Sequence, residues 1–360
     1  MFSTDVTRGF LPPYDPAIAF PRDSELAVLD TWGHDLPSLL YEADFRQYMR
    51  NAKIPSWPEQ NQSLALLRLY YVRLGFLASA YVNQVSQPRA EVLPKNIAVP
   101  FCHACRLLNR PPILSYDGYA LYNWKRFDPA GPIALGNIDT IQNFVHLYDE
   151  HWFILVHVEI EAIAAEILAA IQRVPAAVNA NDRAAINQLL SEIAASVWKQ
   201  VAVLKRIPEH MDPALYFKTF RPYIRFFENV VYEGVEEHPL NYRGETGAQS
   251  SILPLLIALL KINHRQSVLT DHLDDMRRFM PAEHREIIAS VAALPSLRPF
   301  AEREPFNDAL EAMAAFRETH IGWAQLYIQR WVEDPRGTGG TPYMQWLGQL
   351  IDETRQHRID

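Results

Sequence analysis

A helical repeat runs through the segment Met313-Ala-Ala-Phe-Arg-Glu-Thr-His320-Ile-Gly-Trp-Ala-Gln-Leu-Tyr327-Ile-Gln-Arg-Trp331. Steps of three and four residues select one face of it, which carries Met313, Phe316, His320, Ala324, Tyr327 and Trp331. This spacing is typical of an amphipathic helix whose apolar stripe packs against a core. We therefore predict a helix over residues 306–332, with His320 on its buried face.

A histidine in such a stripe needs a hydrogen-bond partner or a metal, because its imidazole has lost contact with water. The segment is followed by Arg336-Gly-Thr-Gly-Gly-Thr341, which we interpret as a flexible loop ahead of another helical stretch. A buried histidine beside such a loop fits an axial haem ligand next to a mobile substrate gate. The alternative, which the periodicity alone favours, is a core histidine hydrogen-bonded to a neighbour.

Composition limits the classes of protein to be considered. The chain has 360 residues, 49% of them hydrophobic, so we expect a sizeable core and no general disorder. The net charge of -8 and the lack of a basic block argue against nucleic acid as a partner. We expect no signal peptide and no membrane partner, because the longest apolar run, Ile252–Leu260, is far shorter than the roughly 20 residues that span a bilayer. These features predict a soluble, cytoplasmic protein.

The two cysteines, Cys102 and Cys105, form a single Cys-x-x-Cys pair. Such a pair is redox-active in some proteins and half of a zinc site in others. No second pair exists, and Arg106 stands where covalent haem attachment requires a histidine. We therefore expect two buried free thiols.

Helical periodicity dominates the rest of the chain. It predicts further helices over residues 63–85, 144–174, 183–207, 252–260 and 283–291, and we find no convincing period-two strand and no internal repeat. Prolines 88, 94, 100, 111 and 112 interrupt the chain after the first long helix. We predict an all-α fold of two domains, a smaller N-terminal one over residues 1–105 and a larger one over residues 106–360.

A second histidine, His157, lies within the apolar helical segment Phe153-Ile-Leu-Val-His157-Val-Glu-Ile-Glu161. Two buried histidines on separate helices suit the two sides of a flat cofactor, one binding iron and the other facing the open coordination position. The alternative is a metal site formed by His157, Glu159 and Glu161. Its spacing is poor, because a di-metal helical site requires Glu-x-x-His motifs on two helices.

Aromatic residues adjoin an arginine in Tyr216-Phe-Lys-Thr-Phe-Arg221. A flat apolar wall beside a guanidinium that grips a carboxylate would suit an aromatic amino acid. The alternative, more frequent when this motif is taken alone, is a surface arginine next to an aromatic core. Tyr116 and Tyr119 add either further pocket lining or further core.

Taken together, these segments resemble the indoleamine 2,3-dioxygenase family. The matching stretches follow the family order from about residue 64 onward: Leu93-Pro-Lys-Asn-Ile-Ala-Val-Pro100, Pro111-Pro-Ile-Leu-Ser-Tyr116, Asn123-Trp-Lys125, Val231-Tyr-Glu-Gly234, Gly247-Ala-Gln-Ser-Ser251, Asp275-Met-Arg-Arg-Phe-Met-Pro281, His284-Arg285 and Gly337-Thr-Gly-Gly-Thr341. The segments that begin at Asp275 and Gly337 are specific rather than compositional. The resemblance implies a helical, two-domain protein that binds haem b non-covalently.

The resemblance also implies roles for individual residues. His320 looks like the proximal iron ligand, Arg317 like an arginine near the haem, and Arg221 like the arginine that holds the substrate carboxylate. The other matches are Tyr216 and Phe217 as the aromatic pair beside Arg221, Tyr116 and Phe153 as distal walls, Tyr119 as a further pocket position, Thr246 on the loop near the haem and Thr338 on the loop that closes over substrate.

Three positions depart from the family pattern. His157 stands where animal members carry serine, although the related tryptophan 2,3-dioxygenases carry histidine there. Ile257 stands where better-known members have an aspartate that supports the proximal histidine, and Tyr216 replaces a phenylalanine. We expect His157 to accept a hydrogen bond from the indole N–H and to orient the ring, without being an obligatory base.

The function that the resemblance implies is insertion of O2 across the indole 2,3 bond of L-tryptophan, which gives N-formylkynurenine in tryptophan catabolism. This function requires an electron donor that keeps the haem ferrous. The resemblance to the family favours a monomer, although the histidine-bearing relatives are tetrameric. One alternative keeps the scaffold but takes a modified tryptophan or another indole in secondary metabolism. Another is a haem-binding sensor with little activity.

Overall fold

The computed structural model describes residues 2, 4–42, 44–60, 62–85, 87–331 and 344–360. These residues form mainly helices, which confirms the predicted fold class. The α-helices are α1 (Val28–Leu39), α2 (Phe45–Asn51), α3 (Leu64–Val82), α4 (Lys95–Leu107), α5 (Tyr148–Asn179), α6 (Arg183–Leu204), α7 (Pro213–Leu215), α8 (Ile252–Leu260), α9 (Val268–Met276), α10 (Ala282–Ala292), α11 (Arg303–Tyr327) and α12 (Met344–Gln356). The strands are β1 (Val92–Leu93), β2 (Trp124–Arg126), β3 (Ile138–Thr140), β4 (Phe227–Tyr232) and β5 (Leu240–Tyr242).

The helices predicted from periodicity are present, with shifted ends. α3 begins where predicted because the Ser63 hydroxyl accepts a hydrogen bond from the backbone N–H of Leu66 at 3.3 Å. α5 begins four residues later than predicted, since the Glu150 carboxylate turns back to accept the N–H groups of Phe144 and Val145. The helix that carries His320 ends at Tyr327, five residues earlier than predicted.

Three long helices build the part of the molecule that matters most for function. Three residues, 180–182, join α5 to α6, so the two helices run antiparallel, and α6 packs against both α5 and α11. Asn181 between them takes a left-handed conformation with φ of 54°, which lets the chain reverse in so short a connection. This arrangement brings the predicted histidines of α5 and α11 into one region.

Short strands, for which the sequence showed no convincing period-two pattern, are present among the described residues. β1 pairs in parallel with β4, and β4 pairs antiparallel with β5, so the sheet order is β1-β4-β5. A separate antiparallel pair joins β2 and β3. The strands have two to six residues, too few for a period-two pattern to stand out from the sequence.

Helix α4 occupies part of the region that the prolines marked as a break. Pro94 directly precedes it, and Pro100 lies within it. The predicted boundary between residues 105 and 106 therefore falls inside α4, and the division into two domains stays a prediction. Cys102 and Cys105, also on α4, are buried free thiols, as predicted.

The N-terminal segment packs directly on α5. The N–H of Phe10 donates to the Glu161 carbonyl at 3.4 Å, and Gly9 takes a left-handed conformation with φ of 68°. A Cβ atom at Gly9 would lie 2.0 Å from the Glu161 carbonyl oxygen, so only glycine permits this approach. Across the described ranges, no helix combines the length and the apolar composition needed to span a bilayer.

Candidate active site

A cavity of about 440 Å³ opens between the long helices, and its walls are mainly apolar. Side chains from α5, α6, α8, α9, α11 and α12 line it, together with the loop between β5 and α8. Seven of the predicted site residues lie on its walls: Tyr116, Phe153, His157, Tyr216, Thr246, Arg317 and His320. The fold therefore brings together residues that are up to 204 positions apart in the sequence.

His320 projects from α11 into this cavity. Its side chain is exposed, but the surface that it exposes lies within the cavity, so the predicted burial against a packed core is corrected. Within the part of the chain that the structure describes, no residue hydrogen-bonds its ring. The surrounding protein excludes water from most of the ring and lowers the pKa of His320 to about 4, and the proximity of a second titratable ring, His157, lowers it further. The imidazole is therefore neutral at pH 7, as a metal ligand must be.

His157 reaches the same cavity from α5. Its Nδ1 lies 2.7 Å from the carbonyl oxygen of Phe153. Because a carbonyl only accepts, Nδ1 carries the proton and Nε2 is left as an acceptor. Burial lowers the pKa of His157, which keeps the ring neutral. The ring contacts Phe153 and Tyr116 edge-on, with centroids 4.6 and 5.8 Å away, so its orientation is fixed.

Tyr116 is held in the wall by a buried carboxyl group. Its hydroxyl donates to Glu161 Oε1 at 2.8 Å, and the Ser250 hydroxyl donates to the same oxygen at 2.6 Å. Burial raises the pKa of Glu161 to about 7, although both hydrogen bonds lower it. Glu161 thereby joins the wall formed by Tyr116 to the loop ahead of α8.

Two wide helical turns present the aromatic residues. Asp117–Leu121 and Tyr216–Phe220 are both π-helical turns, in which the backbone hydrogen bond spans five residues. Such turns bulge the chain and change the direction of the side chains. The first follows Tyr116 and carries Tyr119, and the second carries Tyr216.

Three predicted residues, Tyr119, Phe217 and Arg221, are not among the described residues that line the cavity. Tyr119 donates its hydroxyl to Glu150 at 3.0 Å, and its ring is 6.3 Å from that of Phe153. Arg221 is buried, with 5% of its surface exposed, and its guanidinium lies over the Phe217 ring at 5.2 Å. A fourth, Thr338, lies outside the described residues, as does the glycine-threonine loop around it.

Arg317 lies about one helical turn before His320 on α11 and is the centre of a cluster of polar contacts. Its Nη1 donates to the carbonyl oxygen of Leu350 at 3.1 Å, and its Nη2 lies 3.5 Å from His264 Nε2. Glu353 in turn accepts from His264 Nδ1 at 2.8 Å. Ile257 lines the same cavity and is half-buried, so the wall has an apolar side chain at this position instead of a hydrogen-bond acceptor.

Comparison with known proteins gives this site a context. The family model described as indoleamine 2,3-dioxygenase matches residues 1–333. The chain belongs to this family. It is 32% identical over 355 residues to indoleamine 2,3-dioxygenase 1 of Rattus norvegicus, covering 89% of this chain and 87% of the rat protein. The chain is therefore an oxidoreductase of the dioxygenase type.

Two fungal members of the indoleamine 2,3-dioxygenase family are also similar. The indoleamine 2,3-dioxygenase of Saccharomyces cerevisiae is 28% identical over 385 residues, which cover 89% of this chain and 85% of the yeast protein. The 6-hydroxytryptophan 2,3-dioxygenase of Fusarium equiseti is 24% identical over 345 residues, covering 91% and 84%. The names of these relatives thus specify different indole substrates.

The residues present fit the haem on which this family depends. A neutral imidazole without a protein partner among the described residues stands on the wall of an apolar cavity, and a second neutral imidazole stands on the same cavity. The other metal site considered from the sequence has no support in the geometry. Glu159 accepts the N–H of Leu135 at 2.8 Å, and no three His, Cys, Asp or Glu residues of the described chain are placed to share a metal ion.

Sequence reasoning missed several residues of the cavity. His264, His272 and Arg277 line it, but they lie in segments without a periodic pattern that would indicate their direction. Trp323 and Glu245 also line it. Glu245 lies next to Thr246 in a loop that the glycines had marked, but nothing in the loop sequence shows that its carboxyl group turns inward.

Proposed function

We propose that this protein is a haem-dependent dioxygenase that inserts both atoms of O2 across the indole C2–C3 bond of L-tryptophan to give N-formylkynurenine. The observation that carries the proposal is the pair of neutral histidines, His157 and His320, on one apolar cavity of a chain in the indoleamine 2,3-dioxygenase family. The substrate and the roles of individual residues are inferred from that observation together with the resemblance to the family.

His320 would hold the haem iron, and Arg317 and Thr246 would lie beside the porphyrin. Bound haem would supply the iron centre that activates O2. Below His320, the hydrogen bonds of Arg317 to Leu350 and His264 link α11 to α12 and to the segment after α8. These contacts fix the direction of the helix turn that carries the ligand.

The indole ring would lie on the side of His157, against the rings of Tyr116, Phe153 and Tyr216. The Nε2 atom of His157 is the acceptor available for the indole N–H, because Nδ1 already donates to the Phe153 carbonyl. In this proposal the neutral ring orients the indole as a hydrogen-bond acceptor and is not an obligatory base. Arg221, beside Phe217, would bind the carboxylate, and the loop of Thr338 would close over the amino acid.

The walls contribute to the reaction through proximity and exclusion of water. Rings fixed by edge-on contacts and by the Tyr116–Glu161 hydrogen bond hold the indole in one orientation, which replaces a bimolecular encounter by a positioned one. An apolar lining keeps bulk water from the reacting atoms. The protein would work as a monomer in the cytoplasm, with an external electron donor that keeps the iron ferrous.

A second substrate class is favoured by one observation. Tyr216 lines the cavity at a position where the family pattern has a phenylalanine, so it adds a hydroxyl group to this part of the wall. A hydroxyl there suits an indole with a polar ring substituent, such as the substrate named for the Fusarium equiseti relative. Turnover of L-tryptophan compared with 6-hydroxytryptophan and other ring-substituted analogues tests the choice, with Tyr216→Phe as the matched variant.

The expected result is the highest kcat/KM with L-tryptophan and little effect of Tyr216→Phe on it. A preference for the hydroxylated analogue that disappears in the variant would move the substrate to a modified tryptophan. A protein that binds haem but turns over no indole would instead support the alternative of a haem-binding sensor.

A further inference from the structure

The backbone of Tyr116 is held by a side chain that is absent from the described lining of the cavity. Tyr116 stands at the start of a π-helical turn, and the first N–H groups of a helical turn have no acceptor within it. The acceptor for the Tyr116 N–H is Gln249 Oε1, at 2.9 Å. Gln249 is buried, with 2% of its surface exposed. It therefore acts on a ligand through the residues that it holds.

The same amide closes the loop between β5 and α8. Gln249 Nε2 donates to the carbonyl oxygen of Gly244 at 2.9 Å, and the backbone N–H of Gln249 donates to the carbonyl oxygen of Thr246, also at 2.9 Å. Residues 245–248 of this loop line the cavity. Because the amide oxygen meets an N–H and the amide nitrogen meets a carbonyl, a reversed amide would lose both bonds. Gln249 thus joins the loop to Tyr116 in one arrangement.

The next residue of the loop, Ser250, holds the opposite end of Tyr116. The Ser250 hydroxyl donates to Glu161 Oε1 at 2.6 Å, and the Tyr116 hydroxyl donates to the same oxygen at 2.8 Å. Two consecutive residues therefore anchor the backbone N–H of Tyr116 directly and its hydroxyl through Glu161. The ring between these anchors lies edge-on to His157, with the centroids 5.8 Å apart. The position of the loop thus sets the position of this ring.

The loop is in turn fixed on its other side. The N–H of Glu245 donates to the carbonyl oxygen of Ile224 at 3.1 Å. An added Cβ at Gly244 would approach that oxygen to 2.4 Å, so the two backbones are in close contact. Gln249 therefore ties Tyr116 to a loop that already has a fixed place in the fold.

We propose that Gln249 is a positioning residue that determines which ring-substituted indoles the cavity accepts. The inference rests on the proposed function, in which Tyr116 forms a wall against the indole ring. Without the amide, the Tyr116 backbone and the loop would no longer be joined, and the wall would give way to a larger ring. Gln249 would thus limit the space beside the indole while touching neither the substrate nor the cofactor.

The test is selectivity among ring-substituted substrates. Steady-state kinetics on the haem-loaded full chain give kcat/KM for L-tryptophan and for its 4-, 5-, 6- and 7-bromo derivatives. Gln249→Met keeps the length of the side chain and removes both amide hydrogen bonds. For at least one bromo derivative, the preference for L-tryptophan is expected to fall about tenfold, the scale on which an apolar pocket discriminates one small group. The Soret absorbance of the loaded protein should stay unchanged.

Asn187→Leu is the matched control for a general effect on stability. Asn187 is also a buried amide that joins two segments, since its Nδ2 donates to the Phe300 carbonyl at 3.3 Å and its Oδ1 accepts the Glu302 N–H at 2.7 Å. It is absent from the described lining of the cavity. Asn187→Leu should lower the midpoint of thermal unfolding, as Gln249→Met does, and leave every preference unchanged.

Two further variants test whether the effect passes through Tyr116. In a Tyr116→Ala background, adding Gln249→Met should change no preference further, because the wall that Gln249 holds is already gone. Gln249→Asn keeps an amide that is one methylene too short to reach both partners. It should lower the same preference as Gln249→Met, and it carries the test if Gln249→Met does not fold.

Unchanged preferences in the Gln249 variants, or an equal fall in Asn187→Leu, would overturn the positioning role and leave the dioxygenase proposal standing. A further fall in the Tyr116→Ala background would also overturn it, since the effect would then not depend on Tyr116. A wild-type protein that oxidises none of these indoles would overturn the proposed function and this inference with it.

Discussion

The rings of His157 on α5 and His320 on α11 line one cavity, where burial lowers the pKa of both rings and the proximity of His157 lowers the pKa of His320 further. Within the described chain, the His320 ring has no hydrogen-bond partner, whereas His157 donates Nδ1–H to the Phe153 carbonyl. The two imidazoles therefore differ in what they offer. His320 presents a free neutral ring to a metal, and His157 presents a single oriented acceptor.

His320→Ala is expected to abolish stable haem binding, because His320 is the histidine that α11 contributes to the cavity wall. The Soret absorbance after haem loading and gel filtration measures the loss. Added imidazole should restore part of the absorbance, since the deleted ring leaves space on the cavity wall. A variant that keeps the wild-type haem spectrum and turnover would show that the axial ligand is another residue.

His157→Ser is expected to retain haem and turnover but to raise KM for L-tryptophan about tenfold, which is the value of one hydrogen bond of roughly 1.4 kcal/mol. Steady-state kinetics on the haem-loaded protein measure this change. 1-Methyl-L-tryptophan lacks the indole N–H, so wild type and variant should bind it alike. Loss of turnover without a change in KM would instead make His157 an obligatory base.

The stability of the protein should depend on pH through Glu161. Its pKa rises from an ordinary 4.5 to about 7 in the fold, so the folded state binds the proton more tightly than the unfolded state. The resulting stabilisation is present below pH 4.5 and is lost as the pH rises through 7, by up to about 3 kcal/mol. Glu161→Gln keeps an acceptor for Tyr116 and Ser250 but does not titrate.

Urea unfolding of the wild type and Glu161→Gln from pH 5 to 8 measures this dependence. The difference in the free energy of unfolding should grow in favour of the variant as the pH rises. A constant difference would mean that Glu161 has an ordinary pKa in the folded protein.

The contact of the N-terminal segment with α5 can be tested with two glycines. Gly9→Ala should cost about 3 kcal/mol or more, because the positive φ of 68° and the clash with the Glu161 carbonyl add together. Gly136→Ala is the matched control, since Gly136 also has a positive φ, of 96°, but an added Cβ would meet nothing within 4 Å. It should cost about 1–2 kcal/mol. Thermal unfolding compares them, and equal losses would exclude a steric contribution at Gly9.

The long helices could be predicted because their apolar spacing is regular over many turns. The run Ile252–Leu260 was predicted residue for residue, whereas Pro100 concealed α4, in which the helix continues through the proline. The two-residue strand β1 pairs with β4, whose sequence lies more than 130 positions away. Such pairing depends on the tertiary fold and leaves no local pattern.

The site was predicted in part for similar reasons. His157 and His320 stood out because a histidine breaks a long apolar pattern, and the aromatic residues followed from the resemblance to a family. The prediction that Trp331 lies on the buried face of the helix was wrong. Trp331 follows the end of α11, and it is 37% exposed. Glu245 escaped notice because its loop packs against Ile224 only in the folded chain, a contact that the loop sequence does not indicate.

The most direct test of the dioxygenase account follows the oxygen atoms. Haem-loaded protein is reduced without oxygen, given L-tryptophan and then exposed to ¹⁸O2, and the product is identified by mass. The account predicts N-formylkynurenine that carries two labelled oxygen atoms. A normal ferrous haem spectrum with no labelled product would contradict it, leaving the haem site intact and moving the function to another indole or to sensing.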